Sequence, residues 1–473
     1  MTSVDDEKLL NLLEQLNVTE TTENKVCEDE LTSTISYVVT ASRVPPFRKP
    51  DMPYTTSDFE GVADNAEVQL SVISRILDSI CSAKKRGQHF SPLFVRNFVV
   101  SCFLVASEYS DESWEWSSYK TACKSENVMN KLCEVCNCES VQELLTGMPP
   151  DDVDYSSIDV KSINGRERKV NYLKFVLQGL SEILNKNNWK TYPALKMSYW
   201  WILQQLDRKN VEEQMAYLLP PALFIVDDWE QQNKILGLKC LHYILKNTTG
   251  SELRWYGRAA VIYDALKAVM YTREAEVLEI LYPTITEVAN VLESDPSNTG
   301  KLKSESIYDA ILHQLLREME HEQRLELRSV YAASLPTVLS AMGIFGIRWS
   351  KEVMDVCSDY LATFDGPKAS DRFNILKALQ LYVRECWPQI HFHVASIMQM
   401  LVRLLYDVTD EDTALSPQII DVVTQEVETL VKLLYLAAPK TTQELCCGLE
   451  SISVHPQCQM LLKKILIITS VDK

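Results

Sequence analysis

The chain has 473 residues, of which 46% are hydrophobic and 24% charged, the balance of a soluble globular protein with enough apolar material for a large core. Its formal net charge of -18 opposes binding to nucleic-acid phosphates and to anionic membranes. Only 13 glycines occur, well under half of the usual share of about 7%, which disfavours folds rich in hairpin turns or phosphate-binding loops. Composition therefore favours an all-α chain.

Residues 1–60 are predicted to form an acidic N-terminal arm and a proline-bearing linker. The opening MTSVDDEKLLNLLEQL places leucines on a narrow stripe of a short helix, and acidic residues outnumber basic ones around it. This opening has neither a basic region nor a continuous apolar core, so we expect no signal peptide. Without an export signal, the 13 cysteines indicate reduced thiols in the cytosol or nucleus.

Amphipathic patterns follow one another from residue 61, and they predict a helical-repeat body at 61–292. Ser91-Pro92 is typical of a helix start, because serine caps the helix and proline fits its first position; Ser416-Pro417 repeats this signal. A polar break predicts a hinge or loop at 293–305, before C-terminal helical repeats at 306–473.

Prolines that follow a large apolar residue recur along the chain. In HEAT-type helical hairpins such prolines start or kink a helix that curves round its neighbour. They are Pro193, Pro220, Pro283, Pro336 and Pro388. Their spacing shows no regular period. Low glycine content and serial amphipathic helices together predict an α-solenoid of degenerate HEAT- or armadillo-like repeats.

One uncharged stretch, 329–347 (SVYAASLPTVLSAMGIFGI), approaches the length of a membrane span. It contains Pro336 and several small polar residues and follows a charged segment. A buried helix pair is therefore the favoured interpretation.

A cysteine cluster, KLCEVCNCES, brings Cys133, Cys136 and Cys138 together, with Cys123 upstream as a candidate fourth zinc ligand. Neither a second Cys-x-x-Cys pair nor a nearby histidine completes a zinc motif. A metal site is therefore disfavoured, and Cys446, Cys447 and the other single cysteines are interpreted as small apolar core residues.

Known catalytic motifs are missing from the sequence: HExxH, GxSxG, a Walker motif and a glycine-rich phosphate loop. His391 and His393, at i and i+2, would point to different faces of a helix. We therefore expect no catalytic, cofactor-binding or metal-binding residues. The alternative from another class is an enzyme whose site uses these histidines or the cysteine cluster.

The stretch LLPPALFIVDDWEQQNKILGLKCLHYIL, residues 218–245, combines prolines, acids and an apolar run. Pro220 lacks a backbone N–H and disfavours helical geometry at the residue before it, so we expect the helix to break there and restart at Pro221. Asp227 and Asp228 could form a hydrolytic pair, but adjacent side chains diverge. We expect them to cap the following helix and to pair with a basic side chain of an adjacent repeat.

The next helix is predicted at about 231–246. Gly237 costs about 1 kcal/mol relative to alanine inside such a helix, so its presence predicts close approach of a neighbouring backbone. The predicted buried stripe consists of Leu238, Leu241, Ile244 and Leu245.

This stretch, together with the following LRWYGRAAVIYDALKAVMYTREAEVLEILYP, resembles the Tel-two-interacting protein two (Tti-two) family. The resemblance extends from about Tyr192 to Leu292 and continues more loosely through the C-terminal third. The first 150 or so residues do not align. The matching family features are Pro220-Pro221, Asp227-Asp228, Lys234 with Gly237, and Tyr263-Asp264-Ala265-Leu266.

The resemblance implies a non-enzymatic cochaperone subunit. Tti-two proteins form the Triple-T (TTT) complex with Tti-one and Tel-two, which hands newly made phosphatidylinositol-kinase-related protein kinases to the Hsp-ninety system. It thus implies Tti-one and Tel-two homologues as partners in a hetero-oligomer, clients in DNA-damage and TOR signalling, and a cytoplasmic and nuclear location. The alternative is another HEAT- or armadillo-type adaptor, which predicts a regular 40-odd-residue period and often an asparagine ladder; the sequence displays neither.

Aromatic side chains are dense in the 190–295 block. They are Trp200, Trp201, Trp229, Trp255 and Tyr256. Tryptophan and tyrosine dominate interface hot spots, so the exposed members of this group are predicted to help hold a partner, with Trp255 and Tyr256 given as either structural or partner-facing. We expect at least three of the five to be buried in the core.

Overall fold

A computed structural model of the chain describes residues 28–49, 51–147, 171–294, 306–409 and 415–449, and Gln459. Across these residues the regular structure consists of twenty α-helices and four short 3-10 segments, with no β-strand. The all-α prediction is confirmed. The described residues fall into two compact units that divide between Thr249 and Gly250.

Unit 1 contains ten of the helices. They are α1 (Glu28–Ser42), α2 (Val62–Lys85), α3 (Pro92–Ser107), α4 (Tyr119–Cys136), α5 (Val141–Thr146), α6 (Leu173–Ile183), α7 (Pro193–Gln204), α8 (Arg208–Glu213), α9 (Met215–Val226) and α10 (Gln231–Lys246). Helix α2 packs against α1 and α4, α3 against α1 and α4, and α9 packs extensively against α10. The 3-10 segments Thr56–Phe59 and Trp189–Thr191 lie between helices.

The residues predicted as arm and linker contribute to unit 1 where they are described. Helix α1 buries Leu31 and Ile35, and the segment after it buries Phe47. The guanidinium of Arg43 donates to the buried carboxylate of Glu108 at 2.5 Å. The predicted helical opening, residues 1–16, lies outside the described residues. The domain limits themselves stay predictions.

Unit 2 contains the other ten helices. They are α11 (Gly250–Trp255), α12 (Arg258–Val269), α13 (Ala275–Glu293), α14 (Ile307–His321), α15 (Leu325–Met342), α16 (Ser350–Ala362), α17 (Ser370–Glu385), α18 (Val394–Thr409), α19 (Pro417–Ala437) and α20 (Pro439–Leu449). The 3-10 segment Gly343–Trp349 joins α15 to α16, and Trp387–Phe392 joins α17 to α18. The hinge predicted at 293–305 falls mostly on residues 295–305, outside the described ranges.

The helices of unit 2 stack in two layers, as in a HEAT-type array. Helices α13, α15, α17 and α19 pack in succession, and α14, α16, α18 and α20 pack in succession beside them. The first set begins at Ala275, Leu325, Ser370 and Pro417, intervals of 50, 45 and 47 residues. These intervals lie at or just above the usual length of HEAT and armadillo repeats. The solenoid prediction is confirmed here, but a period exists where sequence analysis found none.

The helix starts marked by Ser-Pro are confirmed. Ser91 caps α3, with its hydroxyl accepting from the backbone N–H of Phe94 at 3.2 Å, and Ser416 caps α19 in the same way. The other prolines divide into two groups. Pro193 begins α7, whereas Pro283 and Pro336 lie inside α13 and α15.

Among the described residues, one helical stretch, Leu325–Ala362, is long and apolar enough to cross a membrane by length and composition alone. Its most apolar 18-residue window is 44% buried. Helix α15, the first part of this stretch, packs against α13 and α17 and buries Tyr331 and Leu335. This is the packing of a core helix.

Candidate partner-binding surface

The corner between α9 and α10 is built differently from the prediction. Pro220 and Pro221 both lie inside the continuous helix Met215–Val226, so the expected break and restart are wrong. Their missing N–H groups leave two helical hydrogen bonds unmade. Leu219 and Pro221, on either side of Pro220, are buried, and the packing of α9 on α10 offsets this loss.

The two aspartates of the corner point in different directions, as predicted for adjacent side chains that do not form a catalytic dyad. Asp227 is exposed, whereas Asp228 is only 7% exposed. Neither caps α10: the N-cap residue is Glu230, without a side-chain capping bond, because the chain runs two residues further before the helix begins. The predicted capping role is therefore wrong.

Asp228 does pair with a basic side chain, as expected. Its Oδ1 lies 2.5 Å from the Nζ of Lys190, and its Oδ2 accepts from the side-chain amide of Asn233 at 2.6 Å. The amide nitrogen of Asn233 also lies 2.7 Å from a carboxylate oxygen of Glu230. Asp228 thus ties the 3-10 segment before α7 to the first turn of α10.

Lys196 on α7 completes this buried network. Its Nζ donates to the Oδ1 of Asn233 at 2.6 Å and lies 5.3 Å from the centre of the Tyr54 ring. Burial lowers the pKa of Lys196 to about 8, although the carboxylates of Glu230 and Asp228 oppose this shift. The network therefore holds a cation inside unit 1 between acidic and aromatic partners.

Sequence analysis missed Lys190, Lys196 and Asn233. Two lysines flanking Tyr192-Pro193 in an otherwise apolar segment were the only local signal. A pocket of about 430 Å³ opens beside the network, with Tyr54, Trp114 and Trp200 among its lining residues. Glu115, Glu230 and Lys239 also line this pocket, so it combines aromatic contact area with charged side chains of both signs.

Gly237 behaves as predicted. A β-carbon at this position would lie 2.4 Å from the backbone nitrogen of Val226 and 2.6 Å from its α-carbon. Helix α9 therefore touches the backbone of α10 at the one residue that has no side chain. Helix α10 spans the predicted residues, and its predicted stripe is fully buried. Lys234 lies half-buried in its first turn.

The aromatic side chains of the block are more exposed than expected. None of the five is buried. Trp200 and Trp201 of α7 are half-buried, with Trp200 packed edge-on against Tyr243. In unit 1 Trp229 is 59% exposed, and in unit 2 Trp255 and Tyr256 are 83% and 62% exposed. The expectation of at least three buried rings is wrong. Trp229, Trp255 and Tyr256 lie at helix ends and turns, and Trp200 and Trp201 lie inside α7 at positions that the core covers only partly.

Trp255 ends α11 and Tyr256 follows it before α12, and these two residues are called here the WY turn. Gly257 comes next in a left-handed conformation, with a φ of 64°, and is the N-cap of α12. The guanidinium of Arg258 lies 4.4 Å from the centre of the Tyr256 ring and pairs with Glu252 at 2.8 Å. Helix α12 also carries the family positions Tyr263, half-buried, and Asp264, exposed. The WY turn thus presents two aromatic side chains to solvent beside a fixed cation.

The cysteine cluster lies at and just beyond the end of α4 in unit 1, whereas His391 and His393 lie just before α18 in unit 2. Among the described residues no three His, Cys, Asp or Glu side chains are placed to hold a metal ion. Cys133 is buried at the end of α4, and Cys123 is exposed on the same helix. His391 is exposed, whereas His393 is partly buried, and this burial lowers its pKa.

A model of the Tti2 family matches residues 103–367. TELO2-interacting protein 2 of Homo sapiens is 31% identical over 304 residues, which are 64% of the chain and 56% of the human protein. The Rattus norvegicus protein of the same name is 33% identical over 294 residues, 62% of the chain and 54% of the rat protein. The chain therefore spans little more than half the length of these curated relatives.

Solved structures give more distant similarities. A chain from a structure of Kap95p with RanGDP aligns with 99% of this chain and 51% of its own length, at a TM-score of 0.49 and 11% identity. A structure of a Kap121p mutant covers 94% of this chain and 38% of its own, at a TM-score of 0.47 and 13% identity. The helix ranges and their packing define the fold.

Proposed function

The chain belongs to the Tti2 family, and from this premise we propose that it is a non-enzymatic scaffold subunit of the TTT cochaperone complex. In this role it binds homologues of Tti-one and Tel-two as part of a hetero-oligomer. The assembly supports the maturation of phosphatidylinositol-kinase-related protein kinases with the Hsp-ninety system, in the cytoplasm and nucleus. The name of the mammalian relatives, TELO2-interacting protein 2, supports binding to a Tel-two homologue.

The WY turn is the part of the molecule that best supports binding to a protein partner. Trp255 and Tyr256 lie inside the family match, and no packing inside unit 2 accounts for such exposed aromatic rings. Tryptophan, tyrosine and arginine are the residue types enriched in binding hot spots, and Arg258 stands beside the two rings. We assign the WY turn to a protein partner.

The buried network at the α9–α10 corner of unit 1 favours a structural role over a catalytic one. The corner network fixes Lys196 on Asn233, and Asp228 on Lys190, so its charged groups hold one another in place. Catalysis by general acid and base needs a poised group within reach of a substrate atom. A scaffold needs only an ordered surface, and stacked helical repeats provide one.

Affinity purification of the full tagged chain from its own cells tests the proposal. We expect Tel-two and Tti-one homologues to be recovered in amounts close to that of the bait. The Trp255→Ala, Tyr256→Ala double variant should retain its helical circular dichroism and lose about tenfold or more in recovery of at least one partner. Tyr119→Ala, which removes a tyrosine 72% exposed on α4, is the matched control and should leave recovery unchanged.

Each failure has a distinct meaning. Recovery of neither homologue by folded bait would overturn the TTT assignment and leave another HEAT- or armadillo-type adaptor as the function. Normal recovery by the double variant would leave the complex intact and remove the WY turn from the interface.

A further inference from the structure

Unit 2 carries a second exposed apolar surface, away from any family motif found in the sequence. It consists of Ile344 and Phe345 in the 3-10 segment Gly343–Trp349, and Trp387 and Phe392 in the 3-10 segment Trp387–Phe392. Their exposed fractions are 50%, 51%, 61% and 73%. We call these four residues the edge patch. Four large side chains exposed together indicate an interaction site, because a monomer gains nothing by leaving them in water.

The two turns of the edge patch touch each other. The thiol of Cys386, just before the second turn, lies 3.8 Å from the carbonyl oxygen of Gly343 in the first. A β-carbon on Gly346 would lie 3.2 Å from the same sulfur. The hydroxyl of Tyr382 hydrogen-bonds to the hydroxyl of Ser350 at 2.6 Å, just beyond the first turn. The patch is therefore one surface shared by two successive repeats.

The exposed side chains do not build the core beneath them. Gly346 and Ile390 are the buried residues of the two turns, and Met342 and Val394 are buried in the adjoining helices. The core under the edge patch is thus complete without Phe345, Trp387 or Phe392. Removing them should change binding and leave the fold intact.

The net charge of the chain favours one kind of partner. Neither turn contains an aspartate or glutamate, and Arg348 is the one lysine or arginine in them. Arg348 lies 5.1 Å from the centre of the Phe345 ring and is paired with Asp309 at 2.9 Å, so its charge is already neutralised. Glu352 and Glu385 are exposed at the borders, as are Lys351 and Arg384, and the whole chain carries a net charge of -18. The field of the molecule therefore attracts a basic partner.

We propose that the edge patch binds an amphipathic helix of a protein partner, with apolar anchors on one face and lysine or arginine at its borders. Packed helices lie about 8–10 Å apart, so two successive repeats present their turns at about that separation. Residues i and i+7 of a helix are about 10.5 Å apart along one face. One such helix can therefore seat an anchor on each turn. This site does not depend on the TTT assignment.

The test uses the full chain and a fluorescein-labelled synthetic helix of about 18 residues, made of leucine, lysine and alanine, with leucines at alternating spacings of three and four. A second peptide of the same composition with its leucines scrambled keeps the charge and loses the apolar face. We expect the striped peptide to bind, measured by fluorescence anisotropy, and the scrambled peptide to bind about tenfold or more weakly.

Two variants locate the site. Phe345→Ser with Trp387→Ser should weaken binding of the striped peptide about tenfold. Leu436→Ser, which removes a leucine 77% exposed on α19, should leave binding unchanged. If the double variant loses its helical circular dichroism, Phe392→Ser alone replaces it.

Equal binding of both peptides, no binding of either, or an unchanged affinity in a folded patch variant would each overturn the proposal. Sedimentation of the free chain tests whether a second copy of the chain covers the edge patch. A dimer that dissociates in the patch variant would show that it does, and would also overturn the proposal.

Discussion

The α9–α10 corner and the WY turn are both parts of the family match, yet they use their side chains in opposite ways. The corner buries Asp228, Asn233 and Lys196 and brings two backbones together at Gly237. The WY turn exposes Trp255 and Tyr256, and only Arg258 lies against the second ring. Within the family match, some residues thus stabilise the fold, and others are exposed and available to bind a partner. Substitutions at the two places should separate stability from binding.

The largest loss of stability is expected from Gly237→Ala. The added β-carbon would meet the backbone of Val226 at 2.4–2.6 Å, and backbone cannot move aside as a flexible side chain can. We expect the free energy of unfolding to fall by about 3 kcal/mol in a urea titration. Gly179→Ala in α6 is the matched control, because its β-carbon would meet only side-chain atoms, of Leu104 at 3.5 Å and of Val100 at 4.0 Å. That variant should gain up to about 1 kcal/mol from helix propensity. Equal effects at both positions would contradict the close approach.

Asp228→Ala should come next. It leaves Lys190 without its carboxylate and leaves one amide proton of Asn233 without that acceptor, at a cost of about 2–3 kcal/mol in the free energy of unfolding. The adjacent Asp227→Ala removes an exposed carboxylate and should stay within about 0.5 kcal/mol of the parent. Urea titrations of the two variants side by side measure the difference. Similar losses from both variants would contradict a stabilising role for the Asp228 network.

Lys196 makes the stability of the corner depend on pH. The pKa of Lys196 is about 8 in the folded chain and has its ordinary value of 10.5 in the unfolded chain. Between these values the unfolded state binds more protons, so this group makes stability rise with pH; below pH 8 the cost of burying the charge is fully present.

The stability of the parent relative to Lys196→Met should therefore improve by about 1–2 kcal/mol between about pH 7.5 and 9.5. Urea titrations across this range measure it. Lys239→Met, which removes an exposed lysine of α10, should show no such trend. A flat difference for Lys196→Met would mean that the lysine is not held as a buried cation.

The smallest effect on stability is expected at the WY turn. Trp255→Ala removes a ring that is 83% exposed, so the free energy of unfolding should change by no more than about 0.5 kcal/mol. The same variant should still lose partner recovery. A loss of several kcal/mol in the urea titration would place Trp255 in the core and erase the contrast with the corner.

Local signals in the sequence predicted the helices well. Ser91-Pro92 marks a helix start through its own side chain and ring, and the limits of α10 follow from its apolar spacing. The role of Gly237 was predictable because glycine destabilises a helix interior, so its presence there indicates a close backbone contact. These features depend on residues within one turn of each other.

Features that depend on distant packing were not predictable in this way. Pro220 and Pro221 read locally as a helix break, and only the packing of α9 on α10 keeps the helix continuous. Lys190 and Asp228 are 38 positions apart, so their pair leaves no local pattern. Exposure of Trp255 depends on where α11 ends, which composition does not reveal. The repeat spacing of unit 2 is a property of helix starts and not of recurring residues.

The two-layer stacking of unit 2 has an energetic consequence. When each helix pair packs mainly on the pair before and the pair after it, stability is a sum of repeat terms and nearest-neighbour interface terms, as in a one-dimensional chain of coupled sites. An interior repeat loses two interfaces when it opens, whereas a terminal repeat loses one. Helices α15 and α17, each packed between two neighbours of the same layer, should therefore exchange their amide hydrogens more slowly than a helix that is packed on one side only.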